Sequence, residues 1–343
     1  MHSKILLAAL TLFSVTLAGS HDTVMADRRR HHVHKRCHKR QSHHHDHDHD
    51  HGHNDWHQDH NSGSSASSTS VATSTTASAT STSSSAAAAT TTASSTSSSS
   101  KAGLAWPNGD ANDISQWTNG KIGWYYTWSP WPVDSASGLD FYPQLWGQKQ
   151  VSDWQQQKGK FAEWGTTHIL GFNEPNESGQ ANMQPADAAS LWNEQIAQYQ
   201  GQYTLISPAC TSRTGDSSSG TDGIKWLQEF QQNGASFDAV AVHIYETDYN
   251  KVIEYLQKVH DTFQLPVYLT EYACQNFSGG DQCSESEVWQ MMQKTTSWMD
   301  SQEWMHGYAW FGAMEQMQGV NIMNQLLSSD APTGLGSYYI QSA

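Results

Sequence analysis

The chain has 343 residues and a formal net charge of −15, and that charge is unevenly held. Residues 1–101 carry nine Lys and Arg against seven Asp and Glu, whereas residues 102–343 carry nine against twenty-six. An acidic domain repels phosphate backbones, which sets nucleic acid aside as a partner, while a neutral polymer meets no such objection.

Residues 1–20 read as a secretory signal peptide. They hold one lysine, an apolar run from Ile5 to Phe13, and small residues at Ala18-Gly-Ser. No other segment is long and apolar enough to span a bilayer, and no apolar C-terminal tail marks a lipid anchor. The expected location is therefore extracellular or in the cell wall, with no transmembrane segment. Residues 21–61 are basic and then His-rich, with 13 of the 19 histidines between positions 31 and 60. Arg28-Arg-Arg, Lys35-Arg36 and Lys39-Arg40 are candidate processing sites. The alternation His45-Asp-His-Asp-His-Asp-His51 supports two readings: weak binding of divalent metal, or a soluble, pH-responsive spacer. Residues 62–101 are almost wholly Ser, Thr and Ala. Such a tract cannot offset the entropy of folding by burying apolar surface, so it reads as a flexible, O-glycosylated linker.

The remaining segment, 102–343, holds 14 of the 15 tryptophans. Its length is near the ~250 residues of one (β/α)8 barrel. Strands are predicted at Gly103–Trp106, Lys121–Thr127, Asp140–Trp146, His168–Asn173, Thr204–Ser207, Ala239–Tyr245, Val267–Glu271 and Gly307–Phe311. Helical stretches fall between them, among them Pro185–Gln200, Gly223–Gln232, Asn250–Phe263 and Ser284–Asp300. Eight strand–helix units predict an α/β fold with a single closed parallel barrel.

Two glutamates end strand-like runs: Glu174 in Gly171-Phe-Asn-Glu-Pro-Asn and Glu271 in Leu269-Thr-Glu-Tyr. By this count they close strands four and seven, so both belong to the C-terminal rim, where barrel enzymes keep their catalytic groups. Paired carboxyls are the minimum equipment for glycosidic cleavage. One donates a proton, and the other acts as nucleophile at a separation of about 5–5.5 Å or activates water at about 6.5–9.5 Å. Asn173, next to Glu174, is placed to donate to a sugar hydroxyl. His243 and Tyr245 alternate along strand six, and Tyr245 is expected to hydrogen-bond Glu271. Tyr126, Trp128, Trp146 and Trp310 are further candidates for sugar contact, because flat aromatic faces suit pyranose C–H surfaces. Trp124 and the helical tryptophans read as packing. Cys274 and Cys283 bracket a short polar loop and are expected to form a disulfide, and Cys210 has no evident mate. Two N-glycosylation sequons occur. Asn176 lies beside Glu174 and is expected to stay unmodified, while Asn276 is the more credible acceptor.

Taken in order, Gly103-Leu-Ala-Trp, Gly123-Trp-Tyr-Tyr-Thr-Trp, Leu170-Gly-Phe-Asn-Glu-Pro-Asn, Ile206-Ser-Pro-Ala, Ala241-Val-His-Ile-Tyr, Leu269-Thr-Glu-Tyr-Ala and the tail from Asn324-Gln-Leu-Leu to Leu335-Gly resemble glycoside hydrolase family 128. This is a family of fungal and bacterial β-1,3-glucanases with a glycosyl hydrolase catalytic core. The resemblance covers residues 102–343 and leaves out the leader. It implies a (β/α)8 barrel, retention of configuration, Glu174 as acid/base, Glu271 as nucleophile, β-1,3-glucan as substrate, and neither cofactor nor catalytic metal. The domain is expected to act as a monomer. The family also contains oligosaccharide binders, so a glucan-binding wall protein with little or no turnover is the alternative.

Overall fold

The structure, a computed structural model, describes residues 100–342. The predicted signal peptide, the His-rich segment and nearly all of the Ser/Thr/Ala tract lie outside the described residues.

Residues 102–342 fold as a (β/α)8 barrel. Its strands are β1 (Ala102–Ala105), β2 (Ile122–Tyr126), β3 (Asp140–Phe141), β4 (His168–Leu170), β5 (Thr204–Ile206), β6 (Val240–Glu246), β7 (Val267–Cys274) and β8 (Met305–Trp310). Parallel ladders run β3–β2–β1–β8–β7–β6, and β4 pairs with β5. Single parallel bridges close the two gaps: Gln144 pairs with Leu170, and Ile206 with Ala239. The third strand is much shorter than the predicted Asp140–Trp146. Pro143 has no N–H to offer a ladder, and its carbonyl instead accepts from Leu170 N at 3.0 Å. The seventh is longer, running on through Cys274.

Helices α1 (Val151–Gln157), α2 (Pro185–Gln195), α3 (Gly223–Gln232), α4 (Tyr249–Phe263), α5 (Glu285–Ser301) and α6 (Gly334–Ser342) surround the barrel. Their starts are written in the sequence. Asp222 accepts from Lys225 N to cap α3, and Asp248 from Asn250 N to cap α4. Ser284 and Glu287 form a reciprocal capping box on α5. None of the described helices is long and apolar enough to cross a membrane.

Two cores result. The outer one lies between strands and helices and takes Trp154, Trp192, Trp226, Leu256 and Met292. The inner one fills the barrel with aromatics set against small residues. Trp124 stacks on Tyr142 at 4.9 Å and meets Tyr268 edge-on at 6.2 Å, opposite Ala105, Ala239, Ala241 and Ala309. Gly103 and Gly307 are part of this fit, because a β-carbon at Gly103 would enter the Trp124 indole and one at Gly307 would strike Tyr268. Along β2, Trp124, Tyr126 and then Trp128 just past the strand carry this aromatic column toward the C-terminal rim.

Gly103→Ala should therefore destabilise the domain by about 1–3 kcal/mol through overpacking, since neither the β1 backbone nor the enclosed indole has room to retreat. Urea unfolding measures this, and an unchanged midpoint would mean that the inner core is looser than described.

Candidate active site

Glu174 follows β4 at the C-terminal rim, and its backbone is held from both sides. Its N–H donates to Ala209 O at 2.8 Å, and its carbonyl accepts from Glu177 N at 3.0 Å. Its φ of 43° lies in the left-handed region, which is uncommon for a residue with a β-carbon. Trp128, just past β2, has φ 52°. Such conformations cost on the order of 1–3 kcal/mol each and persist where the surroundings over-determine them.

Glu271 lies within β7 at a bulge. Val242 pairs with Leu269 but the next residue, His243, pairs with Glu271, so Thr270 is an extra residue on β7. The ladder to β8 also shifts between Leu269 and Tyr272. Strict alternation would send one of Thr270 and Glu271 outward. The bulge lets both turn into the barrel, while Leu269 and Tyr272 pack in the outer core.

The inward pair meets His243. Its Nε2 shares a hydrogen bond with Thr270 Oγ1 at 2.9 Å, and its Nδ1 shares one with Glu174 Oε1 at 2.8 Å. The same Nδ1 is 3.5 Å from Glu271 Oε2. One oxygen of each glutamate and one ring nitrogen of His243 lie within 4.8 Å of one another. Glu271 is served by two donors: Trp128 Nε1 to Oε1 at 2.7 Å, and Tyr245 OH to Oε2 at 2.8 Å. Tyr126 OH donates to the Thr270 carbonyl at 2.9 Å and so holds the bulge itself.

This asymmetry separates the two carboxyls. Burial pushes Glu174 up to about 8, with the nearby Glu177 charge adding to the rise. Burial also raises Glu271, and Glu174 adds to it. Positive charge on His243, whenever it is protonated, and the hydrogen bonds from Trp128 and Tyr245 pull it back. His243 is held below its usual value by burial, against the pull of Glu271. The Glu174–His243 contact has ion-pair length. With the acid raised and the base lowered, however, we read it as a neutral carboxylic acid against a neutral imidazole. The three groups are close enough to seat a divalent ion. Each Glu271 oxygen already accepts one hydrogen bond from a protein donor.

The remaining predicted contacts divide. Trp146 is half-buried at the rim beside the inner core, with the Lys149 ammonium 5.9 Å above its ring. Trp128 is 8% exposed and Tyr245 half-buried, so each keeps an edge toward the cleft while bonding Glu271. Tyr126 and His243 are each 1% exposed and act beneath the surface rather than on it. Trp310, read as a substrate contact, is instead fully enclosed in the outer core with Nε1 bonded to Asn324 O at 3.0 Å. The residue that reaches the rim from that strand end is its neighbour Phe311, in the inner core. Asn173 Nδ2 donates one of its two hydrogens to Gln180 Oε1 at 3.1 Å, and among the described residues Oδ1 is buried without a hydrogen-bond partner.

Cys274 and Cys283 are bonded, and Cys210 is buried and free. Asn176 is buried, and its amide is engaged by Thr211 and Thr221. Asn276 spends both of its amide hydrogens inside the disulfide loop, on Gly279 O and Asp281 O.

Residues 103–339 match the model of the glycosyl hydrolase catalytic core. The chain belongs to this family. A curated relative, alkali-sensitive linkage protein 1 of Schizosaccharomyces pombe, is 31% identical over 247 residues, covering 70% of this chain. The chain spans only 44% of that protein. Among solved structures, the family 128 (subgroup II) endo-β-1,3-glucanase of Sorangium cellulosum is 27% identical with a TM-score of 0.60, covering 71% of this chain and all of its own. The family 128 (subgroup VII) oligosaccharide-binding protein of Cryptococcus neoformans is also 27% identical, with a TM-score of 0.59, covering 71% of this chain and 93% of its own. The resemblance to family 128 thus holds in sequence and in fold.

A carboxyl raised to about 8 when folded, from an unfolded value of 4.5, binds its proton more tightly in the native state. The stability linked to that proton is complete at low pH, declines as pH climbs past the unfolded value, and levels off above the folded one. The Tm of the wild-type domain is therefore expected to fall from pH 5 toward pH 8 relative to Glu174→Gln. Parallel profiles for the two proteins would show that Glu174 titrates as an ordinary carboxyl.

Proposed function

We propose that this domain hydrolyses β-1,3-glucan with retention of configuration, using Glu174 as acid/base and Glu271 as nucleophile. The observation that carries this reading is the pair of buried carboxyls with oxygens within 4.8 Å of each other around one imidazole. That spacing is nearer the about 5–5.5 Å of a retaining pair than the about 6.5–9.5 Å of an inverting one, and so supports direct attack on the sugar.

Glu271 attacks the anomeric carbon as Glu174 passes its proton to the departing glycosidic oxygen. A glycosyl ester to Glu271 forms and the C–O bond breaks. Water then adds to the anomeric carbon from the face just vacated, returning its proton to Glu174 and releasing Glu271. The Trp128 and Tyr245 donors keep Glu271 anionic and fix its rotamer, and burial keeps Glu174 protonated at neutral pH. Asn173 Nδ2 keeps a second hydrogen for a sugar hydroxyl, and Trp146 offers a ring face at the rim. The sequence of the leader supports a secreted protein acting at the cell wall, with the Ser/Thr/Ala tract as its stalk.

The oligosaccharide-binding neighbour favours one other reading, a glucan binder without turnover. Laminarin separates the two. The wild-type domain should release reducing sugar, and Glu174→Gln and Glu271→Gln should each lose at least about a hundredfold in kcat. The product's anomeric configuration, followed by proton NMR from the first turnovers, should be β. Background release by all three proteins, with tight binding of the polymer, would establish the binder instead, and an initial α anomer would exclude Glu271 as nucleophile.

A further inference from the structure

Among the described residues, no Lys or Arg pairs with Glu174 or Glu271; the ion pairs of those cations go to Glu177, Asp216 and Glu246. The only basic group at ion-pair distance from either carboxyl is the His243 ring. Glu174, Glu271 and His243 are 4%, 5% and 1% exposed. Buried acids are ordinarily paired with a cation or bound to a metal, and these two lack a Lys or Arg partner. Residues 102–343 carry twenty-six Asp and Glu against nine Lys and Arg, a field that concentrates cations.

The ligand geometry is close to complete. One atom from each of the three groups lies within 4.8 Å of the others. Ligands at about 2.0–2.2 Å from a tetrahedral ion stand about 3.3–3.6 Å apart. His243 Nδ1 is 3.5 Å from Glu271 Oε2, which already fits, and 2.8 Å from Glu174 Oε1, which must open slightly. Thr270 Oγ1 accepts from the other ring nitrogen and so leaves the Nδ1 lone pair facing the carboxyls. A metal-bound histidine is ordinarily held in this way. Trp128 and Tyr245 fix Glu271, and each leaves a lone pair on the oxygen it bonds. Asn173, the residue before Glu174, is 4% exposed, and its Oδ1 is buried with no hydrogen-bond partner among the described residues. A buried acceptor in that state calls for a donor brought by a ligand, and water on a metal ion is such a donor. One imidazole nitrogen and two carboxylate oxygens suit zinc, which takes both ligand types and keeps a fourth position for water. Magnesium and calcium favour shells of oxygen alone.

We propose that Glu174, His243 and Glu271 form a zinc site, and that zinc bound there stops hydrolysis. The ion replaces the proton between Glu174 and Nδ1. That proton leaves to solvent, the Nδ1 lone pair and one oxygen of each glutamate bond the metal, and both negative charges are neutralised. Glu174 then has no proton to give, and the Glu271 oxygen facing it is engaged. Binding stands on the geometry; inhibition rests on the glucan-hydrolase reading above.

The test uses the full chain with zinc, and magnesium as the control. In crystals grown with zinc, an anomalous-scattering peak should lie about 2.0–2.2 Å from His243 Nδ1 and from one oxygen of each glutamate. On laminarin, apparent KM should rise in proportion to free zinc with kcat unchanged, and magnesium should alter neither. Thr270→Val keeps all three ligands but releases the ring, so zinc should inhibit it about 10–100-fold less tightly. The His-rich leader is the same in both proteins and does not create that difference. A peak confined to other residues, a peak at the site with turnover undiminished, or equal inhibition of wild type and Thr270→Val overturns the proposal. If the metal-free wild type cleaves no laminarin, the hydrolase reading fails. The anomalous peak then decides the zinc site by its presence or absence.

Discussion

Two carboxyls buried in a closed barrel share one imidazole, and the rest of the rim answers to that constraint. Burying one ionised carboxylate is costly, and burying two side by side is costlier. The barrel resolves this by treating them unequally. Glu271 receives an indole N–H and a phenol O–H, one to each oxygen, whereas Glu174 has only the His243 ring. The negative charge therefore belongs on Glu271 and the proton on Glu174. Because His243 is enclosed and kept neutral, it links the pair without adding a third charge.

The asymmetry depends on backbone features that disfavour stability locally. Trp128 can aim its N–H at Glu271 with a left-handed backbone, and its carbonyl is secured by Gln150 Nε2 at 3.0 Å. Glu174 turns inward in the same conformation, clamped by Ala209 and Glu177. The β7 bulge supplies the third departure, presenting Thr270 and Glu271 to the same side. Each irregularity sits at the site and none is needed merely to close the barrel, which is the pattern expected when strain is kept where function requires it.

This division explains what the sequence makes legible. The eight strands follow from apolar runs, since parallel strands covered on both faces carry almost no charge. Both glutamates come out at one rim because rim position depends only on where a run ends. Side-chain direction is harder. Alternation correctly sends His243 and Tyr245 inward on β6, which is regular beyond its pairing with the bulge. Trp310 is misplaced for another reason: its position at a strand end beside Glu271 suggests the cleft, but alternation along β8 turns Ala309 and Phe311 inward and Tyr308 and Trp310 outward. A bulge leaves no compositional mark in Leu269-Thr-Glu-Tyr. Neither does the hydrogen bond from Asn173 to Gln180, a loop residue seven positions away.

The strand end that carries Glu271 gives the rim its rigidity. Cys274 is the last residue of β7, three positions beyond Glu271. Asn324 brackets it, accepting from Cys274 N at 2.9 Å and donating to Cys274 O at 3.0 Å. The disulfide then carries that anchorage into the loop bearing Phe277. On the opposite side, Asn176 ties the Glu174 loop to Thr211 and Thr221, and Arg213 forms a two-pronged pair with Glu177. That pair holds the charge of Glu177 near Glu174 instead of letting it drift into solvent, so one contact contributes both position and field. Displacements of about 1 Å at a reacting centre can forfeit much of the rate. Fixing both strand ends independently of the substrate keeps the carboxyl separation from depending on what fills the cleft.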